Sequence, residues 1–378
     1  MKNGWKQMAL GEILHLEYGK SLDERDRKPN GRFPVYGANG EKDRTDRFYH
    51  EKQSIIVGRK GSAGEINLTE KKFWPLDVTY FVTFDDKQHD LRFLYYLLTT
   101  MDLPKLAKGV KPGINRNEVY SQVARVPALP EQQRIVGILD KAFDGIATAK
   151  ANAEKNLQNA HSLFESHLQS VFTQRGKGWR EIQLADVCER LHQGLNTAGE
   201  KVKFYDSGFP IIQTRNIDDG VVELDSKIKF MCEEDWHVYK DKYRPEVGDV
   251  FFTNIGTIGK TAIVTVDRDY LIHWNIFKLR PRIEKITSEF LRYTLEQLTS
   301  SGYFEKLQKG GTVDFVTKKM ISEALIYLPN KTEQEQIVAK LDSMREETQH
   351  LESIYRQKLD ALETLKKSLL HQAFSGNL

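Results

Sequence analysis

Apolar residues recur along this chain with two different periods, and the switches between them mark its organisation. Over 135–171 they return every three or four residues, as Ile135, Leu139, Ala142, Ile146, Ala149, Ala153, Leu157, Ala160, Phe164, Leu168 and Val171. A second run holds Ile337, Leu341, Met344, Leu351, Leu362, Leu365 and Leu369, with Thr348, Tyr355 and Lys358 as weaker members. That spacing puts each set on one helical face. No proline interrupts either run, and Pro130 and Pro329 stand just before them, where proline is compatible with helix entry. At 1.5 Å per residue each helix would be about 60 Å long, more than a globular core needs. A narrow seam sustained over several heptads predicts a two-helix coiled coil, with two core helices of a bundle as the alternative.

The remaining chain, about 1–128 and 175–327, follows the period of strands. Gln53–Val57, Thr79–Phe84, Asp249–Phe252 and Thr261–Val266 are rich in β-branched and aromatic residues. Glycine-bearing turns such as Tyr36–Gly40 and Gly256–Gly259 punctuate them, and short helices are expected at Leu91–Thr100 and Ser288–Leu298. Both parts read as α+β, a mixed sheet with short helices.

The two halves repeat one another. Leu129-Pro130-Glu131-Gln132 with Ile135-Val136 and Leu139-Asp140 returns as Leu328-Pro329, Glu333-Gln334, Ile337-Val338 and Leu341-Asp342. From Glu131 and Glu333 the copies run ungapped for 42 residues to Phe172 and Phe374, with 11 identities. Upstream the likeness is looser: Trp5–Leu10 echoes Trp179–Leu184, Val57–Gly64 echoes Phe252–Gly259, and Lys105–Gly109 echoes Lys306–Gly310. The expected order is a first globular domain (1–128), a helix (129–174), a second globular domain (175–327) and a second helix (328–378), an internal two-fold repeat.

Composition narrows the class. Two cysteines in 378 residues exclude a disulfide framework and fit a reducing cytoplasm. No apolar run approaches a membrane span, and the start has no signal-peptide core. The net charge of +3 is too small to argue for nucleic acid in bulk, so any basic face must be local.

Motifs for catalysis are absent. Asn254–Thr261 imitates a phosphate-binding loop, but Asn254 stands where its first glycine belongs and a strand follows where a helix should. Cys188, His192, Cys232 and His237 lack the tight paired spacing of a zinc site, and the first half has no counterpart to them. No metalloprotease, hydrolase or dinucleotide-binding signature occurs, nor the Asn/Asp-Pro-Pro-aromatic tetrapeptide of amino-methyltransferases. No catalysis, cofactor or metal is expected of this chain alone.

The duplicated Leu-Pro/Glu-Gln/Ile-Val helix start, the ending Leu369–Gly376, the stretch Phe33–Gly40 and the Gly-x-x-Gly turns together resemble the specificity subunit of Type I restriction–modification enzymes. The resemblance covers essentially the whole chain. It implies two target recognition domains, each reading one half of a split sequence in double-stranded DNA. It implies that the helices pair antiparallel and fix the unread spacer. It also implies two modification (methyltransferase) subunits, carrying S-adenosylmethionine, docked on this chain, and restriction (motor–nuclease) subunits joining them. A methylation-only complex is the nearest alternative, and a coiled-coil scaffold without DNA readout a more distant one. Gly137 and Gly145 depart from an ideal helix, each costing about 1 kcal/mol relative to alanine.

The residues offer matching chemistry. Lys105, Lys108, Lys111, Asn115, Arg116 and Arg125 crowd the end of the first globular part, among Gly109, Pro112 and Gly113. Lys306, Lys309, Thr312, Lys318 and Lys319 recur at matched places in the second. Glycine-bearing loops let amides and basic side chains approach phosphates closely; a solvated charged surface is the plainer reading. Arg59, Lys60 and Ser62, and Asn254, Thr257 and Lys260, flank the Gly-x-x-Gly turns as further DNA candidates.

Overall fold

The structure, a computed structural model, describes residues 4–218, 220–225, 227–307 and 315–378. It divides into two units, Met1–Glu154 with Arg356–Leu378, and Lys155–Tyr355.

Unit 1 opens with β1 (Lys6–Ala9), the single turn α1 (Leu10–Ile13) and β2 (Leu14–Tyr18). β3 (Phe33–Gly37), β4 (Gly40–Thr45), β5 (Ser54–Gly58), β6 (Ile66–Thr69), β7 (Trp74–Pro75) and β8 (Thr79–Phe84) follow. Then come α2 (Leu91–Thr100), α3 (Arg116–Tyr120), β9 (Val123–Val126) and the long helix α4 (Leu129–Thr173). An antiparallel sheet of order β2-β8-β5-β6 is the centre, and β4-β3-β7 forms a second sheet with β3 and β7 parallel. β5 reads Ser-Ile-Ile-Val-Gly and is buried throughout, as expected of a central strand covered on both faces. The amphipathic α2 lays Leu91, Phe93, Leu94, Leu97 and Leu98 into that core, and Asp90 caps it by accepting from the Phe93 N–H.

Unit 2 repeats the plan with additions. Its strands are β10 (Arg180–Gln183), β11 (Cys188–Gln193), β12 (Phe209–Ile212), β13 (Ile217–Asp218), β14 (Val221–Val222) and β15 (Lys229–Met231). After α5 (Glu233–Tyr243) come β16 (Val250–Thr253), β17 (Thr261–Ile263), β18 (Leu271–Ile272) and β19 (Ile276–Pro281). The rest is α6 (Ser288–Ser300), α7 (Tyr303–Leu307), α8 (Lys318–Ser322), β20 (Leu325–Leu328) and the long helix α9 (Lys331–Ser375). Its central sheet has the order β11-β19-β16-β17, and β15-β12-β18 again contains one parallel pair, β12 with β18. In both units a short antiparallel pair, β1 with β9 or β10 with β20, ends where a long helix starts. Leu328 closes β20, so the second helix starts three residues later than its sequence suggests.

Each long helix runs 45 residues and contributes to both units. Within unit 1 the partners run antiparallel: Arg134 donates to the Leu378 carbonyl and Lys150 pairs with Glu363 at 3.0 Å. Within unit 2, His161 meets Glu352 at 2.7 Å. Every apolar residue read as the α4 seam, Ile135, Leu139, Ile146, Leu157, Phe164 and Leu168, is buried or half-buried. On α9 the seam needs correction. Ile337, Leu341, Met344, Leu362 and Leu369 are covered, but Leu351 is 37% and Leu365 47% exposed. Of the weaker members Thr348 and Tyr355 are covered and Lys358 is exposed; Arg345, Glu352 and Leu359 join Thr348, Tyr355 and Leu362 in a regular heptad whose charged members a count of apolar residues passes over.

The phosphate-loop imitation is a turn between two antiparallel strands, with β17 directly after Lys260. Cys188 lies in the core of unit 2, where burial pushes its thiol up to about 12, and Cys232 precedes the first turn of α5. Among the described residues no helix is long and apolar enough to cross a membrane.

Candidate nucleic-acid interface

The turn after β5 and the loop before α3 come together. Gly61 N–H donates to the Pro112 carbonyl, Ile114 N–H donates to the Arg59 carbonyl, and Lys60 and Lys108 each bridge to Gly113. Two clusters far apart in sequence therefore share one surface of unit 1. The turn can be this tight because Gly61 and Gly64 have φ of +81° and +86°, and a Cβ on Gly64 would lie 2.4 Å from the Pro104 nitrogen.

Unit 2 builds the same junction. Val316 N–H donates to the Asn254 carbonyl, Ile255 bridges Phe315, and Gly256 and Gly259 have φ of +78° and +91°. Asn254 thus occupies the place of Arg59. The helices that follow begin alike, with Asn115 accepting from the Asn117 N–H and Thr317 from the Met320 N–H as caps. Arg116 and Lys318 are the first helical residues after those caps.

The candidate side chains differ in what they are free to do. Lys105 pairs with Asp102 and Lys108 with Glu118, each at 2.5 Å, so both charges are locally answered. Lys60, Ser62 and Lys111 are exposed, and Arg125 sits in β9 opposite Gln7. Asn115 is engaged as a cap. In unit 2, Thr257 is exposed on the turn and Lys306 donates to the Ser301 carbonyl. Lys318 and Lys319 open α8, with Lys319 at 3.8 Å from Glu323. Two candidates are corrected. Asn254 is 1% exposed, because its backbone is the rung that holds the junction. Lys260 is held by the Ile217 carbonyl and Asp218, so it serves the fold of unit 2. Lys309 and Thr312 lie outside the described residues.

Sequence reasoning missed the aromatic floor of the first junction. Tyr18, the last residue of β2, lies edge-on to Tyr80 of β8 with centroids 5.1 Å apart. The Arg116 guanidinium lies 5.1 Å from the Tyr18 ring centroid and that of Arg59 5.4 Å from it. Burial, helped by a hydrogen bond with Tyr18, pushes the Tyr80 hydroxyl up to about 12, so it is a neutral phenol at physiological pH. The matching place in unit 2, by strand pairing, holds Gln193 opposite Phe277, and the Gln193 amide donates to the Trp274 carbonyl at 2.7 Å. On the neighbouring rung, where His192 faces Lys278, burial holds the imidazole below its ordinary range, with Lys318 and Lys278 adding to that. Lys278 is itself buried, which lowers it, and donates to the Arg244 carbonyl at 2.6 Å. No spacing rule flags Tyr18 or Gln193, since each is one residue at a strand end.

The duplicated glutamine is the other missed feature. Gln132 is fully buried; it accepts from the Asp90 N–H and donates to the Gln88 and Pro127 carbonyls. Gln334 does the same with Thr287, Lys285 and Pro329. Each ties the capping residue of α2 or α6 to the start of a long helix. Asp140 and Asp342 add a second tie, accepting from Arg92 and Tyr96 in one unit and from Arg292 and Tyr293 in the other.

The Type I restriction modification DNA specificity domain matches residues 2–158 and again 176–361. This chain belongs to that family. A Haemophilus influenzae protein described as a type I restriction enzyme specificity subunit is 25% identical over 328 residues, 83% of this chain and 80% of its own. The EcoBI specificity subunit of Escherichia coli is 23% identical, over 86% of this chain and 74% of its own. In fold, a chain from a structure of the type I R-M system matches with a TM-score of 0.76 at 19% identity, over 100% of this chain and 99% of its own. The HsdS subunit of Thermoanaerobacter tengcongensis matches at 0.59 and 20% identity, over 100% of this chain and 98% of its own. As a specificity subunit the chain supplies recognition of DNA sequence and not the chemistry performed on it.

Proposed function

We propose that this specificity subunit reads a split DNA site, residues 1–128 contacting one half and residues 175–327 the other. The single observation that carries this reading is the junction built twice, from a Gly-x-x-Gly turn, a capped short helix and a basic first residue on that helix. Lys60, Lys111, Lys318 and Lys319 supply exposed cations for phosphates, the contacts that position without specifying. The pairing of 129–174 with 328–378 sets the unread spacer between the halves. Two modification subunits, which carry S-adenosylmethionine, dock on this chain, restriction subunits join that core, and the complex works on double-stranded DNA in the cytoplasm.

The test exchanges residues 1–128 for the corresponding domain of another specificity subunit and sequences the methylome of cells that also express the modification subunits. The expected result is a split motif in which one half changes while the other half and the spacer stay. A continuous motif, or simultaneous change of both halves, contradicts the assignment of one half to each domain.

A further inference from the structure

We propose that Arg59, Tyr18 and Arg116 form the base-reading element of unit 1 and that they take the O6/N7 edge of a guanine in its half-site. This deepens the proposed function and rests on the reading that residues 1–128 recognise one half.

The first ground is charge without an answer. Among the described residues, Arg59 and Arg116 have no carboxylate within ion-pair distance, whereas neighbouring Lys105 and Lys108 each have one. Two guanidiniums flank a single phenol ring that is 48% exposed. Like charges so placed gain most from an acceptor-rich partner brought from outside.

The second ground is rigidity. Nε and Nη2 of Arg59 both donate to the Asp77 carbonyl, at 3.0 and 2.5 Å, while its guanidinium also lies 6.0 Å from the Tyr80 centroid. A guanidinium has five N–H donors, so the Nη1/Nη2 edge keeps donors to spare and its plane is fixed before any ligand arrives. Arg116 is oriented by the same ring and begins a helix whose cap, Asn115, is already satisfied. A phosphate needs no such planar edge; Lys60 and Lys111 offer flexible point charges for it. A fixed, planar pair of donors fits two acceptors lying in one plane, and in the major groove guanine presents O6 and N7 that way.

The third ground is the contrast between the units. Where unit 1 has Arg59, Tyr18 and Arg116, unit 2 has Asn254, Gln193 and Lys318, with Asn254 buried and no aromatic ring in the place of Tyr18. The guanine assignment therefore belongs to the half-site of unit 1 alone.

The experiment uses the whole subunit assembled with its modification subunits. Once the domain exchange has identified the half-site of residues 1–128, each guanine in it is replaced in turn by 7-deazaguanine, which lacks the N7 acceptor. One replacement should weaken binding by the wild-type complex about tenfold or more, and have little effect on Arg116→Ala or Arg59→Ala complexes. The methylome of Arg116→Ala should show that one position relaxed, with the other half-site and the spacer unchanged. Lys60→Ala and Lys111→Ala should leave the motif intact and make the fall of log affinity with log salt shallower by about one each. A half-site of residues 1–128 without a G·C pair overturns the proposal, and so does one indifferent to every 7-deazaguanine, a measurement that needs no variant to fold. An Arg116→Ala motif identical to wild type, with only a shallower salt dependence, makes Arg116 a phosphate contact and also overturns it. If the wild-type motif is not split, the proposed function has failed first, and the two failures are told apart.

Discussion

Gln132 and Gln334 sit where a surface residue would be expected from their type, yet each is fully buried with three hydrogen bonds. Removing either side chain strands an N–H and two carbonyls in a site closed to water. The cost of leaving such groups unpaired is about 1–3 kcal/mol each, lessened by whatever water enters. Gln132→Ala and Gln334→Ala should therefore each lower the unfolding free energy by at least about 1 kcal/mol in urea titrations, and Gln→Glu should not restore it, since the carboxylate has no N–H to donate. A variant as stable as wild type would show that the ties are dispensable. The Glu-Gln pair was legible in the sequence as the most specific mark of the repeat, but its work was not, because the partners Asp90 and Thr287 lie more than forty residues upstream. Tyr18 was invisible for the same reason, with Arg59 and Arg116 brought to it only by strand pairing and by the hydrogen bond from the Ile114 N–H to the Arg59 carbonyl.

The elements were easier to read than the contacts between their faces. α2 occupies the expected residues, Leu91–Thr100, because an amphipathic period and an aspartate cap agree. α4 shows its whole seam as apolar residues and alanines. α9 does not, since Arg345 and Glu352 occupy covered positions while Leu351 and Leu365 stand outside. Arg345 is held there by Glu296 and lies 4.4 Å from the Phe164 ring centroid, so ion pairing and stacking replace apolar burial. The corrected seam predicts a contrast in the isolated subunit. Leu139→Ala and Leu341→Ala should each cost about 2–5 kcal/mol, as both leucines are fully buried. Leu351→Gln and Leu365→Gln should stay within about 0.5 kcal/mol of wild type. Equal losses for all four by chemical denaturation would restore the seam read from apolar spacing.

At the scale of the molecule, one plan is used twice: two units share two long helices, and each unit ties its recognition domain to a helix start through a glutamine and an aspartate. That arrangement makes the reading surfaces and the helices separable in their effects. The pairing of Lys150 with Glu363 marks a matched place in α4 and α9. Inserting one heptad after Lys150 and another before Glu363 lengthens both helices by about 10 Å while keeping the seam in phase. Methylome sequencing of cells expressing this variant with its modification subunits tests the division of labour most directly. The expected result is both half-sites unchanged and a spacer longer by about three base pairs. Methylation retained at the original spacer, or a change in either half-site, would contradict it.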